Sequence, residues 1–571
     1  MAQLRRKSVS SMGLKMQNPI AKAFGRAKHS GFYHDLSLRG KHPLRLLGTP
    51  KDLWPGSVTM GTQMVAGKII AAGNVLENPN HDQNIWPKGE IWLNSDLDES
   101  WLEYLHSFNW LRDLNQAVDR NGAKKRAEEL TLTWIDQNTQ WGEVSWRADV
   151  VGLRISNWLI FAPLIMDTDD VIYRSRVLDI LARSARHLMK VSSELPDGPD
   201  SLKAIIGLIL SGLYIPFGDG WLKEGLTLLK FALGKEVLAD GGIRSRNPQE
   251  LLHIYMQMVT LRDSFAGMGQ RAPDFLNIAI RKIALNLRTI VHGDGKVPLF
   301  NGATILNHED IFTCLQKNDE DNLPVTDLEQ SGYSRIENGG TVILQDVGPP
   351  AEVGLSRHCH SGALSFEMSR GTARMIVNCG DSRFTQEKQL LMSEIEARST
   401  AAHSTLVLNE QNSSALREDG LIGNGITKMS SKRYMSEGHI MLEASHDGYN
   451  EQYGITHRRL LYLKNTGEDL RGEDILFRNR VENKVGPLPF AVRFHLHPEV
   501  MLEKQDDQDK VHITLVNGEM WTFLARGAAL SLEDSVYFGV GGKSSHSQQI
   551  VLSANASEEQ SKVFWSFRRE T

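Results

Sequence analysis

The sequence predicts an α-helical region followed by an antiparallel β region, and three observations carry that prediction. From about residue 98 the apolar residues recur at three and four positions apart, and similar patterns continue to about residue 291. After about residue 324 the period changes to two, and β-branched residues become frequent. No helical pattern interleaves the later segments, so a sandwich fits better than a parallel α/β sheet.

The elements follow in chain order. Residues 1–40 are basic: Arg5, Arg6, Lys7, Lys15, Lys22, Arg26 and Lys28 all precede the first acid, Asp35. This stretch reads as a solvated tail or as an arm for a membrane surface or partner. No continuous apolar run follows it, so it lacks the form of a standard secretory signal.

Residues 41–320 form the helical region. Trp101, Leu105, Phe108, Leu111 and Leu114 open it, with Asp98 as the cap. Further helical segments include GAKKRAEELTLTWIDQN, DVVGLRISNWLIFAPLIM, VIYRSRVLDILARSARHLMKV, SLKAIIGLILSGLYIP, GWLKEGLTLLKFALGKEVL, PQELLHIYMQMVTLRDSF and APDFLNIAIRKIALNLRTIV. Each has one broad apolar face, and short joints link them, so they must pack as a bundle, a solenoid or a toroid. Residues 325–571 carry the strands, among them TVILQDV, ALSFEMS, RMIVNCG, HIMLEAS, RRLLYLK, FAVRFHLHPEV, IVLSAN and VFWSF. No stretch approaches the roughly 20 apolar residues that span a bilayer.

Composition limits the function. With 41% hydrophobic and 23% charged residues the chain is globular. A formal net charge of -5 gives no general drive toward nucleic acid, so an anionic ligand would need a local basic pocket. Cys314, Cys359 and Cys379 are odd in number and show no disulfide framework. Phosphate-binding, dinucleotide, nucleophile-elbow and zinc-ribbon motifs are absent.

The richest segment is RHCHSGALSFEMSRGTARMIVNCG. Strand alternation would place His358 and His360 on one face, about 6.6 Å apart, where they could meet one ion or substrate or serve as buried histidines bonded to carbonyls. In RSTAAHSTLVLN, Arg398 and His403 stand at a loop-to-strand junction. His360 and His403 on neighbouring strands would need a further donor to hold Zn, with Asn378 or Cys379 nearest. His495 and His497 repeat the H-x-H spacing, and His446, Tyr449, His457 and Arg458 add polar groups with structural roles the better fit. Arg244 and Arg246 precede a helix starting near Pro248, where they could meet carboxylate or sulfate or lie solvated.

The two segments RHCHSGALSFEMSRGTARMIVNCG and RSTAAHSTLVLNEQNSS together resemble the signature of the heparinase II/III-like proteins. The resemblance extends weakly through WLEYLHSFNWLRDLN, SWRADVVGLRISNWL, VLADGGIRSRNP, DGKVPLFNG, ASHDGY and RFHLHPEV, and so covers roughly residues 40 to 565. It implies an N-terminal (α/α) toroid, a C-terminal antiparallel β-sandwich, and a cleft in which an acidic polysaccharide is cleaved by β-elimination. That reaction needs a group to offset the uronate charge, a base for the C5 proton and an acid for the leaving oxygen. By resemblance His358 is catalytic, with Tyr255 and Tyr449 as the available phenols. Arg244, Arg246 and Arg398 would contact the substrate, and His360, His403 and Asn378 would hold Zn.

This chain departs from the family pattern at several places. Asn378 stands where the family carries Asp, and Gly362 replaces another Asp. Asp200 and Ser201 stand in place of an Asn-His pair, and Glu250 in place of the expected Tyr. Two alternatives follow: a glycan-binding homologue without turnover, or a hydrolase using Asp240 and Glu250 as paired carboxylates. The family resemblance points to the cell envelope, and the missing signal to the cytoplasm.

Overall fold

The computed structural model describes residue 34 and residues 36–570, apart from 72–73, 78–85, 87–88, 95–96, 306–310, 317–322, 383–391, 480–487, 505–509, 540, 542 and 558. Most of the basic N-terminal segment lies outside the described residues.

The helical region is a ring of paired helices. In chain order its main members are α1 (Val58–Val65), α2 (Glu99–Ser107), α3 (Arg120–Asn138), α4 (Ala148–Ile160), α5 (Val171–Val191), α6 (Pro199–Tyr214), α7 (Asp219–Glu236), α8 (Pro248–Gly267) and α9 (Asp274–Ile290). Local chemistry sets several starts. Asp98 accepts the Trp101 amide at the head of α2, and Asp119, Asp170 and Asn247 cap α3, α5 and α8 likewise. Pro199 and Pro248 occupy first-turn positions where no amide is needed.

The ring alternates. Helices α2, α4, α6 and α8 surround a central bore, while α3, α5, α7 and α9 back them. The buried faces of α4 and α6 meet at Gly152 and Gly207, where a Cβ on Gly207 would lie 2.5 Å from the Gly152 Cα. Only glycine permits that crossing distance. The sequence reading did not separate inner from outer helices, and it missed α1 and the short hairpin of Ile69–Ala71 with Asn74–Leu76.

The C-terminal region is a sandwich of two antiparallel sheets. One has eight strands in the order Met501–Lys504, Lys510–Thr514, Met520–Arg526, Gln560–Arg569, Asp469–Arg478, Ile455–Leu463, His439–His446, Met429–Ser436. The other has nine and contains Thr341–Asp346, Phe366–Arg370, Ala373–Val377 and Leu488–Leu496. Their inner faces share a core in which Phe366 of one sheet stacks on Trp565 of the other at 5.6 Å. Strand Thr341–Asp346 is buried at every residue because both its faces are covered. Val342 and Leu344 belong to the toroid core, and Ile343 belongs to the sandwich core. The two regions are thus fused through the nine-stranded sheet, which places the toroid bore beside the loops at its edge.

Candidate functional site

The bore of the toroid contains a cavity of about 250 Å³. Its floor is apolar, with Met60, Ile160, Ile206 and Met256, and its walls carry Trp54, Tyr104, Asn157, Gln249, His253 and Gln257. Toward the sandwich the charge density rises. The inner helices α2, α4, α6 and α8 each carry an acid in the first turn: Glu99, Asp149, Asp200 and Glu250. The partial positive charge at a helix N-terminus favours a carboxylate there.

These acids gather the nearby cations. Arg147 bonds Glu99 at 2.6 Å and Asp149 at 2.7 Å, and it also contacts Glu103. Lys203 bonds Asp200 at 2.7 Å and lies 3.7 Å from Glu250. Arg357 pairs with Glu99. Although burial opposes it, attraction to Asp200, Glu250 and Asp149 holds the Lys203 ammonium above its ordinary range. Burial likewise pushes Asp200 up, but Lys203 wins and its carboxyl lies below the usual range.

His358 is exposed at this corner, next to Arg357, and its charge acts on Asp200. Its carbonyl packs on Gly302, where a Cβ would approach within 2.5 Å. The expected strand at His358 and His360 is not formed. The chain turns at Ser356–Cys359 and strand geometry begins only at Phe366, so His358 is exposed while His360 is 3% exposed. The two rings do not share a strand face.

His360 and His403 do meet, with His360 Nδ1 and His403 Nε2 3.0 Å apart. The Ser399 carbonyl accepts from His403 Nδ1 at 2.7 Å, which fixes the His403 proton there and leaves Nε2 to accept from His360. Burial lowers the His403 pKa to about 4, so the ring stays neutral. Asn378 is committed elsewhere: its Nδ2 donates to Glu367 at 3.1 Å and its Oδ1 accepts the Ser404 amide at 2.9 Å. Among the described residues no group of three or more His, Cys, Asp or Glu is placed to hold a metal ion. This donor set does not fit the four-coordinate Zn centre that the resemblance implied.

The other expected contacts are placed in the scaffold. Tyr255 is fully buried within α8, and Tyr449 is buried with its hydroxyl donating to the Leu406 carbonyl at 3.0 Å. Arg246 is buried against Asp346 and donates to the carbonyls of Ser331 and Pro349 at 2.8 and 2.6 Å. Arg398 is buried and donates to the carbonyls of Cys359 and Gly420 at 3.0 and 2.7 Å. Both arginines therefore stitch loops together. Arg244 is ion-paired with Glu236 at 3.0 Å and Glu352 at 2.5 Å. Asp240 accepts from the Gln330 and Ser331 amides at 2.8 and 2.7 Å, and Ser201 donates to the Gly198 carbonyl at 2.7 Å.

Sequence reasoning did not find Glu99, Glu103, Arg147, Asp149 or Lys203. First-turn acids were the available signal, but the outer helices α7 and α9 also begin with acids, Asp219 and Asp274, so the signal acquires meaning only when the inner helices are known to line one bore.

Comparison with known proteins agrees with this architecture. A family model described as Heparinase II/III-like, C-terminal, matches residues 320–566. The fold of heparinase III superposes on 96% of this chain and 91% of that chain with a TM-score of 0.69 at 15% identity. A mutant of the heparan sulfate lyase HepC from Pedobacter heparinus covers 97% and 91% with a TM-score of 0.59 at 15% identity. FtsZ-localized protein C of Caulobacter vibrioides is 27% identical over 545 residues, spanning 93% of this chain and 92% of that protein. The fold is the one seen in the heparinase III and HepC structures, and the C-terminal region matches the heparinase II/III-like model.

Proposed function

We propose that this chain, a heparinase II/III-like family protein, binds a glycan in the cleft between toroid and sandwich without cleaving it by β-elimination. One observation carries the reading: the cations at the cleft, Arg147, Lys203 and Arg357, are each neutralised by carboxylates of the chain itself. A lyase must offset a uronate carboxylate in the transition state, and Arg147 and Lys203, each already held by two or more acids, have little left to offer, while Arg357 is paired with Glu99. The acid and base positions are weak for the same chemistry, since Tyr255 and Tyr449 are buried and Glu250 faces Lys203. The relative in Caulobacter vibrioides is named for its localisation with FtsZ rather than for a reaction, which supports a role in binding or placement.

The lyase reading keeps one observation in its favour. His358 is exposed beside Asp200, where it could take a proton from a bound sugar. The hydrolase reading has less support, because Asp240 spends its carboxylate on backbone amides.

Ultraviolet absorbance during incubation with a panel of uronate polysaccharides separates these readings, because β-elimination leaves a conjugated unsaturated uronate. We expect no rise with any of them, with or without a chelator, while binding to an immobilised glycan is retained. A rise that His358→Ala abolishes would overturn the binding-only reading and make His358 catalytic.

A further inference from the structure

We propose that the bore cavity receives an amino sugar with a free ammonium group, and that this protein's glycan is therefore amine-bearing rather than sulfated or uronate-rich. The inference rests on reading the cleft as a glycan site and names the chemistry that this site would select.

The charge balance points this way. Around the cavity and its mouth stand Glu99, Glu103, Asp113, Asp149, Asp200 and Glu250 against Arg112, Arg147, Lys203 and Arg357, so six carboxylates face four cations. Two negative charges remain in excess. A polyanion entering here would break existing ion pairs and meet that excess, while a cationic sugar would relieve it.

The hydrogen-bonding wall points the same way by a separate observation. Gln257 lines the cavity, and its side-chain Oε1 is buried without a hydrogen-bond partner. An orphaned buried acceptor calls for a donor from the ligand. Glu103 also lines the cavity, with its carboxylate partly exposed. A sugar amine and hydroxyls supply such donors. Trp54 and Tyr104 give flat apolar surface of the kind that sugar rings cover, and the volume of about 250 Å³ suits one or two residues of a chain rather than a long polymer.

The test is isothermal titration calorimetry of the full chain at low salt with three probes: a β-1,4-linked glucosamine tetramer, its fully N-acetylated counterpart and a heparan sulfate tetrasaccharide. The glucosamine tetramer should bind tightest. Glu103→Gln should weaken it about fivefold, the worth of one partly exposed charge pair, and leave the acetylated probe unchanged. Gln257→Leu should weaken both, which places binding in the cavity. Equal affinity for the free and acetylated tetramers would overturn the ammonium assignment and leave the glycan-binding reading standing. Tightest binding of the heparan probe would overturn the charge argument, and binding of no probe would overturn the proposal together with the reading beneath it. Circular dichroism and the thermal midpoint of each variant show that a loss is local.

Discussion

Two constellations in this molecule use the same residue types to opposite ends. In the sandwich, His446, His457, Asp474 and Arg459 are all buried between the sheets. The Gly448 amide donates to His446 Nδ1 at 3.1 Å, so His446 carries its proton on Nε2 and passes it toward His457 Nδ1 at 3.2 Å. His457 Nε2 then donates to Asp474 at 2.8 Å, which also accepts from Arg459 and from Trp565 at 2.8 Å. Every polar atom of this relay has a protein partner. At the cleft, His358 is exposed, and the neighbouring acids and cations are long side chains held by helix first turns. Strand register closes a polar network on itself, whereas converging helix ends leave one facing solvent. The first arrangement stabilises a fold, and the second can meet a ligand.

Removing the hub of the closed network gives the largest expected effect. Asp474→Ala strips the carboxylate from Arg459, His457 and Trp565 and leaves a buried cation unpaired, a loss of about 3–5 kcal/mol. His358→Ala, at an exposed position, should stay within about 0.5 kcal/mol of the parent. Urea unfolding of the two variants measures both. Comparable losses would break the comparison, because His358 would then be part of the framework.

Acid sharpens the same contrast with a smaller effect. Burial lowers His106 to about 3, His403 to about 4 and His495 to about 3, and it also lowers His446 and His457. A histidine whose folded pKa lies below its unfolded value of about 6.5 is neutral in both states at higher pH and contributes nothing there. Below that value the unfolded chain takes the proton and the folded chain does not. Stability therefore falls as pH drops from about 6.5 toward 4, by up to about 1.4 kcal/mol per pH unit for each such histidine. Asp474 works in a separate window. Burial pushes its carboxyl up, but Arg459 and His457 hold it well below the usual range. Its contribution is present above about pH 3.9 and is lost only as pH falls further, toward its folded value. Urea unfolding at pH 7.5, 6 and 5 should show the decline already under way by pH 5, with the same slope in His358→Ala. A flat profile would mean that these rings are protonated in the folded state.

The architecture was legible because periodicity survives in sequence. Helical spacing over 98–291 and the two-residue period beyond 324 mark where side chains must be buried, and burial is what patterning encodes. The site was less legible for a physical reason. Arg246 and Arg398 looked like anion contacts, yet their guanidiniums cap loop carbonyls, a role that depends on contacts from residues such as Ser331 and Gly420 far away in the chain. The H-x-H at His358 promised one shared face, but Leu364 at φ +59° and the turn before it postpone the strand. Conversely, Lys203 and Asp149 drew no notice, since a charged residue on a helix ordinarily faces solvent. Their meaning came from the closing of the ring.

The smallest expected effect concerns metal. In the closed network both ring nitrogens of His457 are used within the protein, and in the His360–His403 pair both ring nitrogens of His403 are used likewise. The ring-to-ring hydrogen bond uses the His403 lone pair that a cation would need, and the nearby Asn378 oxygen already accepts the Ser404 amide. To bind Zn the site would have to give up both bonds, and two neutral nitrogens with one neutral oxygen fall short of four donors. Dialysis against a chelator should therefore leave the thermal midpoint unchanged, as should added equimolar Zn. His403→Gln should be destabilised to the same extent in either buffer. A midpoint that rises with Zn, and no longer rises in His403→Gln, would turn this pair from a closed structural contact into a ligand site and move it to the other side of the comparison.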